Sequence, residues 1–489
     1  MEALRKFSKE IAIQKSDLLI RYNELERKIN ALTNYLYSLN IPEKTYIAVW
    51  SEDIIDYIIV IIAIMNIRCV FVPIDEKLPE ERIKMILGCC DIKYIICDNS
   101  IYVGKFFKEN IIIYNWKKQN KMQEYDVKME DKLYKENDEI YIYFTSGSTG
   151  IPKGVIGKNE SLVHFLNWEI SKYSLQKGYK YAQMTSPSFD PFLRDIFVPL
   201  LSGGVICLLG DDRIKQLFFL PILLNKYKIS VIHCVPSIFH ILISSLEIKN
   251  MNLESIKYIF LAGEEPNIKD LKKWFKINAN SNIEIINFYG PTETTLVKMY
   301  HKIVEEDIIN EIIPIGKPIP DTKVYILDNL GRESEMGEIC IETKYCSLGY
   351  VNNVDNLEKF VISSYNKNKY IYKTGDVGKR LKNGEVIFCG RQDRQIKISG
   401  ISVNLQNIEK IILSNNEINE CCVIFDKPRL ICYYEAKNEI NVLEIKNQLK
   451  KYFQEVLIPQ KYIKVNNLRK TYNGKIDRKY YENYSENRY

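Results

Sequence analysis

The sequence predicts a two-domain α/β protein, and three observations lead there. Short apolar runs ending in polar or glycine residues alternate with amphipathic segments through the first half of the chain. After about residue 312 the texture changes to strands punctuated by glycine and proline. With 489 residues the chain is too long for one ordinary core. The expectation is a large N-terminal domain of α/β layers over 1–392, with a β-rich subdomain from about 312 to 392, and a small α+β domain over 393–489.

In chain order, YIAVW (Tyr46–Trp50), CVFVPID (Cys69–Asp75), YIICD (Tyr94–Asp98), YIYFTSG (Tyr141–Gly147) and YIFLAG (Tyr258–Gly263) read as strands. EERIKMILGCC, between two of them, has helical spacing. Such alternation makes parallel strands with site loops at their ends. The most apolar run, YIIVIIAIMNI (Tyr57–Ile67), lies between Asp56 and Arg68 and falls well short of the roughly 20 residues a membrane helix needs, so it predicts a buried helix. IPIGKPIPDTKVYILD, GEICIE and NGEVIFCG carry the strands of the β-rich region. From Ile408 to Tyr489 a lighter mixture of helices and strands is long enough for a small domain.

Composition excludes several classes. Apolar residues make up 46% and charged residues 27%, the proportions of a soluble globular protein. Lys and Arg exceed Asp and Glu by only 68 to 62, and no basic block interleaved with aromatics suggests a nucleic-acid groove. The N-terminal MEALRKFSKEIAIQKSDLLI has charges throughout and no apolar h-region, so a cytoplasmic protein without a membrane partner is expected. The 12 cysteines are dispersed without a C-x-x-C pair and read as buried thiols.

YFTSGSTGIPKGV (Tyr143–Val155) has the ingredients of a phosphate cradle. Glycines permit close backbone approach, hydroxyls and N–H groups donate, and Lys153 supplies positive charge. It is not a Walker A loop: counting from Gly147, Pro152 occupies the place of the second glycine and Gly154 that of the Ser or Thr. Taken alone, such a loop is more often a plain connection.

Its company changes that reading. TSGSTGIPKG is followed in order by FDPFLRDIF, NFYGPTETT, YKTGD, GRQDRQIKISG and NGKIDRK. The ordered set resembles the adenylate-forming enzymes, specifically the amino-acid-activating adenylation domains of nonribosomal peptide synthesis, from RYNEL at Arg21 and VPID at Val72 to the last lysine motif. The resemblance implies a reaction in two halves. An amino-acid carboxylate attacks the α-phosphate of ATP to give an aminoacyl adenylate, and a carrier-protein thiol then takes the acyl group.

The resemblance also implies roles. Thr145, Lys153 and Lys475 are the expected catalytic residues, Lys475 as a mobile cation reaching the carboxylate and α-phosphate oxygens. Ser146, Gly147, Ser148, Thr149 and Gly150 form the phosphate loop, and Gly263, Glu264 and Gly290 join them on the nucleotide. Asn287, Phe288 and Tyr289 are expected at the adenine, Thr292 at the α-phosphate, and Asp376 with Arg391 at the ribose, where an ionised carboxylate can accept from both hydroxyls. Glu293 is the expected Mg²⁺ ligand, and Asp393 falls on the hinge about which the small domain rotates.

Asp190 matches the position that binds the substrate's α-ammonium in amino-acid-activating members and is usually missing from acyl- and aryl-activating relatives. Pro191, Arg194, His233, Phe260, Ala262, Phe288, Leu296 and Val297 follow as the side-chain pocket. Two outcomes stay open for its charged members: Arg194 and His233 pair with an acidic or polar substrate side chain, or Arg194 bridges to Asp195 or another acid and leaves the pocket lipophilic.

Three stretches depart from the family pattern. Gly400 is followed by Ile401, Ser402, Val403 and Asn404 where G-x-R-I-E is common, so the arginine and the acid are both missing. Asn66-Ile67-Arg68 stands where K-A-G is usual, and ETKYCS replaces a glycine-rich stretch after GEICI. The chain ends soon after Lys475, so a free-standing enzyme is expected, served by a separate peptidyl carrier protein with phosphopantetheine. The competing expectations are an acyl- or aryl-CoA ligase and a non-catalytic nucleotide-binding member.

Overall fold

The structure is a computed structural model that describes residues 2–75, 78–98, 104, 106–107, 110–115, 117, 134–146, 152–210, 213–249, 251–278, 282–351, 356–362, 370–391, 395–470, 476–478 and 480–482. The fold is mixed α/β, and the chain divides into two compact units. One comprises Met1–Glu76, Cys90–Phe144 and Gly154–Gln392; the other comprises Lys77–Cys89, Thr145–Lys153 and Asp393–Tyr489.

In the larger unit, a nine-stranded sheet runs from edge to edge through Lys317–Pro318, Met299–Lys302, Glu284–Tyr289, Tyr258–Ala262, Val231–Cys234, Lys180–Gln183, Val205–Leu208, Ile11–Lys15 and Leu18–Arg21. The pairings from Glu284–Tyr289 through Ile11–Lys15 are parallel, and those of Met299–Lys302 with both its neighbours and of Leu18–Arg21 are antiparallel. A second sheet orders Ile111–Ile113, Ile92–Cys97, Tyr46–Trp50, Val70–Pro73, Glu139–Ser146 and Pro152–Lys158. The five strands read in the first half are therefore present: Tyr46–Trp50 as read, Val70–Pro73 and Tyr258–Ala262 shorter, and Ile92–Cys97 and Glu139–Ser146 starting two residues earlier.

The apolar run at residues 57–67 is helical up to Asn66, in the helix Ile54–Asn66 with Ile67 as its C-cap; the helix is buried from Ile55 through Ile64, with the Asp53 carboxylate capping the N–H of Ile55 at 2.9 Å. Among the described residues no helix is long and apolar enough to cross a membrane. The β-rich region forms a five-stranded antiparallel sheet of Thr322–Leu327, Met336–Thr343, Phe360–Ile362, Tyr370–Arg380 and Val386–Arg391.

In the smaller unit, Ile418–Asp426, Arg429–Ala436 and Lys461–Lys464 form a three-stranded sheet. The helices Leu405–Ile412 and Val442–Lys450 contribute Ile408, Ile412 and Leu449 to a core with Val423 and Cys432.

Candidate active site

Strand register assembles one wall of the site. His233 pairs with Phe260, Phe260 with Ile286, and Ala262 with Phe288. Side chains alternate with period two, so His233, Phe260, Ala262 and Phe288 share one sheet face, while Leu261 and Asn287 take the other. The rings of Phe260 and Phe288 stack at 4.9 Å and 14°, and His233 lies 5.1 Å from Phe260. Two helices cover this face. Asn159–Lys172 supplies Phe165, Trp168 and Glu169, and Phe192–Ser202 supplies Leu193, Arg194 and Asp195.

Asp190 and Pro191 enter the second of these helices, and Leu193 N–H donates to the Asp190 carbonyl at 3.0 Å. The Asp190 carboxylate is buried and accepts from the Thr292 hydroxyl at 3.1 Å. Its charge helps raise the pKa of the buried phenols Tyr141 and Tyr143, where burial is the larger cause.

His233 sits between two buried acids, Nδ1 at 2.9 Å from Asp195 Oδ1 and Nε2 at 2.8 Å from Glu169 Oε1. Two ionised carboxylates flanking one ring favour the form with an N–H on both nitrogens. Burial pushes its pKa down and Arg194 does the same, but Glu169 and Asp195 outweigh them and raise it. The bridge to Asp195 comes from His233, and the buried Nε of Arg194 has no hydrogen-bond partner. The reason is geometric. Residue 233 lies on the strand facing both helices, within reach of an acid from each.

Glu169 went unrecognised in the sequence, although a signal exists. Leu162, Phe165, Leu166 and Glu169 recur at helical spacing, which places a carboxylate on an otherwise apolar stripe.

A second cluster gathers around Asp376. The Tyr289 hydroxyl donates to Oδ2 at 2.5 Å, Arg391 Nη1 donates to Oδ1, and Arg391 Nη2 reaches the Thr374 carbonyl at 3.2 Å. Asp376 and Arg391 are direct cross-strand partners, which explains how a pair distant in sequence meets. Burial, then Asp376, hold the Tyr289 phenol well above its ordinary pKa.

Between the clusters runs the loop from Gly290 to Lys298. A Cβ at Gly290 would lie 2.0 Å from the Leu296 carbonyl oxygen, so only glycine lets the two sides of this loop close. Thr295 and Leu296 hold positive φ of 64° and 57°, a strained backbone that the buried surroundings impose. Leu296 and Val297 are buried there, and Glu293 Oε1 accepts from Tyr350 at 2.8 Å. Asn287 donates to the Pro314 carbonyl at 2.8 Å, and Glu264, just after Gly263, accepts from Ser237 N–H at 3.1 Å.

Thr145 and Ser146 end the strand Glu139–Ser146, and Lys153 lies in Pro152–Lys158. Gly147, Ser148, Thr149, Gly150, Asp393 and Lys475 lie outside the described residues.

The family model for AMP-binding enzymes matches residues 2–351, and the chain belongs to that family. It is 31% identical to gramicidin S synthase 2 of Brevibacillus brevis over 98% of this chain, which spans only 11% of that relative's length. It is 27% identical to zwittermicin A synthase ZmaJ of Bacillus cereus, over 96% of this chain and 91% of that one. Its fold matches holo-PA1221, an NRPS protein containing adenylation and PCP domains bound to a vinylsulfonamide inhibitor, with a TM-score of 0.84 and 21% identity, covering 98% of this chain and 83% of that one.

Proposed function

We propose that the chain activates an amino acid as its aminoacyl adenylate and passes the acyl group to the phosphopantetheine thiol of a peptidyl carrier protein in trans, in the cytoplasm. One amino-acid carboxylate oxygen bonds to the α-phosphorus of ATP as the bond to the β-phosphate oxygen breaks and pyrophosphate leaves. In the second half the thiol gives up its proton, its sulfur bonds to the acyl carbon, and AMP departs.

The observation that carries this reading is the buried Asp190 carboxylate hydrogen-bonded to Thr292. An anion there suits a substrate ammonium, and Thr292 belongs to the loop assigned to the α-phosphate, so the amine and the reacting centre would be held at neighbouring points. The relatives gramicidin S synthase 2 and zwittermicin A synthase ZmaJ, and the fold match to an NRPS protein containing adenylation and PCP domains, support an amino-acid substrate over an acyl or aryl acid.

Asp376 has acceptor capacity beyond its bonds to Tyr289 and Arg391, which suits ribose hydroxyls. Glu293, fixed through one oxygen by Tyr350, offers the hard oxygen donor that Mg²⁺ prefers. When bound, that ion would neutralise phosphate charge. The phosphate roles of Thr145, Ser146, Lys153 and Lys475 rest on the sequence resemblance. The test is ATP–pyrophosphate exchange with the proteinogenic amino acids, then transfer to a carrier protein or to coenzyme A. Exchange driven only by acyl or aryl acids, or transfer only to coenzyme A, would sink the reading.

A further inference from the structure

Lys298 closes the loop that carries Thr292 and Glu293. Its backbone N–H donates to the Tyr289 carbonyl at 2.9 Å across the base of the loop, and its side chain turns back so that Nζ donates to the Thr295 carbonyl at 3.1 Å. The residue is 0% exposed, and among the described residues no carboxylate pairs with its ammonium. Burying an ammonium without a counter-ion is costly, and a methionine of similar length would fill the space without that cost. What lysine supplies and methionine does not is a charged donor, and the acceptor it meets shows where that donor acts.

The acceptor belongs to a strained turn. Thr292–Thr294 form a 3₁₀ turn closed by Thr295 N–H on the Thr292 carbonyl at 3.0 Å, and Thr295, which ends it, holds φ 64° and ψ 96°. Positive φ is an outlier for a β-branched residue, and Leu296 follows with φ 57°. Two such residues in succession persist only where their surroundings over-determine them. Gly290 packs against the Leu296 carbonyl on one side. On the other, Ser347 N–H donates to the Glu293 carbonyl at 2.9 Å and the Tyr350 hydroxyl donates to the Glu293 carboxylate at 2.8 Å. The peptide group that joins the two positive-φ residues is the one whose carbonyl Lys298 holds.

We propose that Lys298 is a positioning residue for adenylation: by fixing the strained peptide between Thr295 and Leu296, it keeps Thr292 and Glu293 aligned for the nucleotide. Sealed from solvent, it acts through the turn and not on the substrate. This deepens the adenylation reading and rests on it, because Thr292 and Glu293 take their places at the α-phosphate and Mg²⁺ from that reading. The buried charge then lowers stability in return for alignment of the loop.

The experiment measures activity and stability together on the full chain, in the wild type and in Lys298→Met, which removes the donor and keeps the volume. Pyrophosphate exchange is followed with MgATP varied at a saturating level of the best amino acid, and urea midpoints are taken at pH 6. The expected result is that Lys298→Met is no less stable than the wild type, yet its kcat/KM for MgATP falls by about 10-fold or more, the equivalent of one charge-assisted hydrogen bond, with a raised KM for MgATP. A merely structural lysine would behave differently: its loss would shrink the active fraction, so kcat would fall at an unchanged KM while stability fell with it. A folded Lys298→Met variant with the wild-type KM for MgATP overturns the inference. So does a variant that loses stability along with activity, or one that fails to fold. Each of these outcomes leaves adenylation standing, since the wild-type chain still exchanges. A wild-type chain that exchanges with no amino acid at all would overturn the parent reading and this one together.

Discussion

The Thr292 hydroxyl donates to the Asp190 carboxylate at 3.1 Å, joining residues 102 positions apart. Asp190 comes just before a helix, and Thr292 opens a 3₁₀ turn after a strand. A neutral donor satisfies one lone pair of the carboxylate and does not itself cancel its charge.

Replacing Asp190 by alanine should therefore raise the amino-acid KM by roughly 10- to 150-fold, the equivalent of one charge-assisted hydrogen bond. The ATP KM should move far less. Steady-state exchange kinetics with each substrate varied in turn will show this, and equal effects on both constants would contradict the ammonium role.

Lys475→Ala should reduce exchange by about 10²- to 10³-fold, as expected when one preorganised charge is lost from the reacting centre. Circular dichroism and the melting temperature should match the wild type. Near-normal exchange would reject the assignment.

The buried cluster at His233 gives a stability prediction. His233→Leu strands Glu169 and Asp195 as two buried carboxylates, which should cost about 3–5 kcal/mol in urea unfolding. Glu169→Gln in the same background should recover part of that loss by removing one of the charges. No recovery, or a loss below 1 kcal/mol, would mean the cluster carries less charge than its geometry implies.

Lys298 gives a pH dependence. It is wholly buried, donates to the Thr295 carbonyl at 3.1 Å, and burial pushes its pKa down from 10.5 to about 7. Between those values the unfolded chain holds a proton that the folded chain has released. This residue's contribution to stability therefore rises with pH from about 7 to 10.5, and its penalty is full below 7. Lys298→Met should stabilise the protein at pH 6 by roughly 1–3 kcal/mol, and the advantage should shrink by pH 9.5. Urea midpoints of both proteins at the two pH values decide it; an advantage that does not change with pH would mean the ammonium is not the source of the penalty.

Much of this was legible in the linear chain. The strands at Tyr46–Trp50 and Tyr258–Ala262 and the buried helix at Ile54–Asn66 follow from local patterning, because each has its apolar run in one contiguous piece. Asp190, Glu293 and Asp376 could be singled out because each sits inside a short motif. Glu169 was not, since its helix carries no motif and its partner His233 lies 64 residues away.

What the sequence by itself determined was the order of elements, the family motifs and the identity of the charged groups, all of which are properties of neighbouring residues. The tertiary structure alone decided which charges meet. Sheet register sets His233, Phe260 and Phe288 on one face, and two covering helices bring Glu169 and Asp195 to the two nitrogens of a single ring. That outcome depends on how strands pair and helices cross, and an acid's partner is chosen by distance in space, to which separation along the chain is no guide.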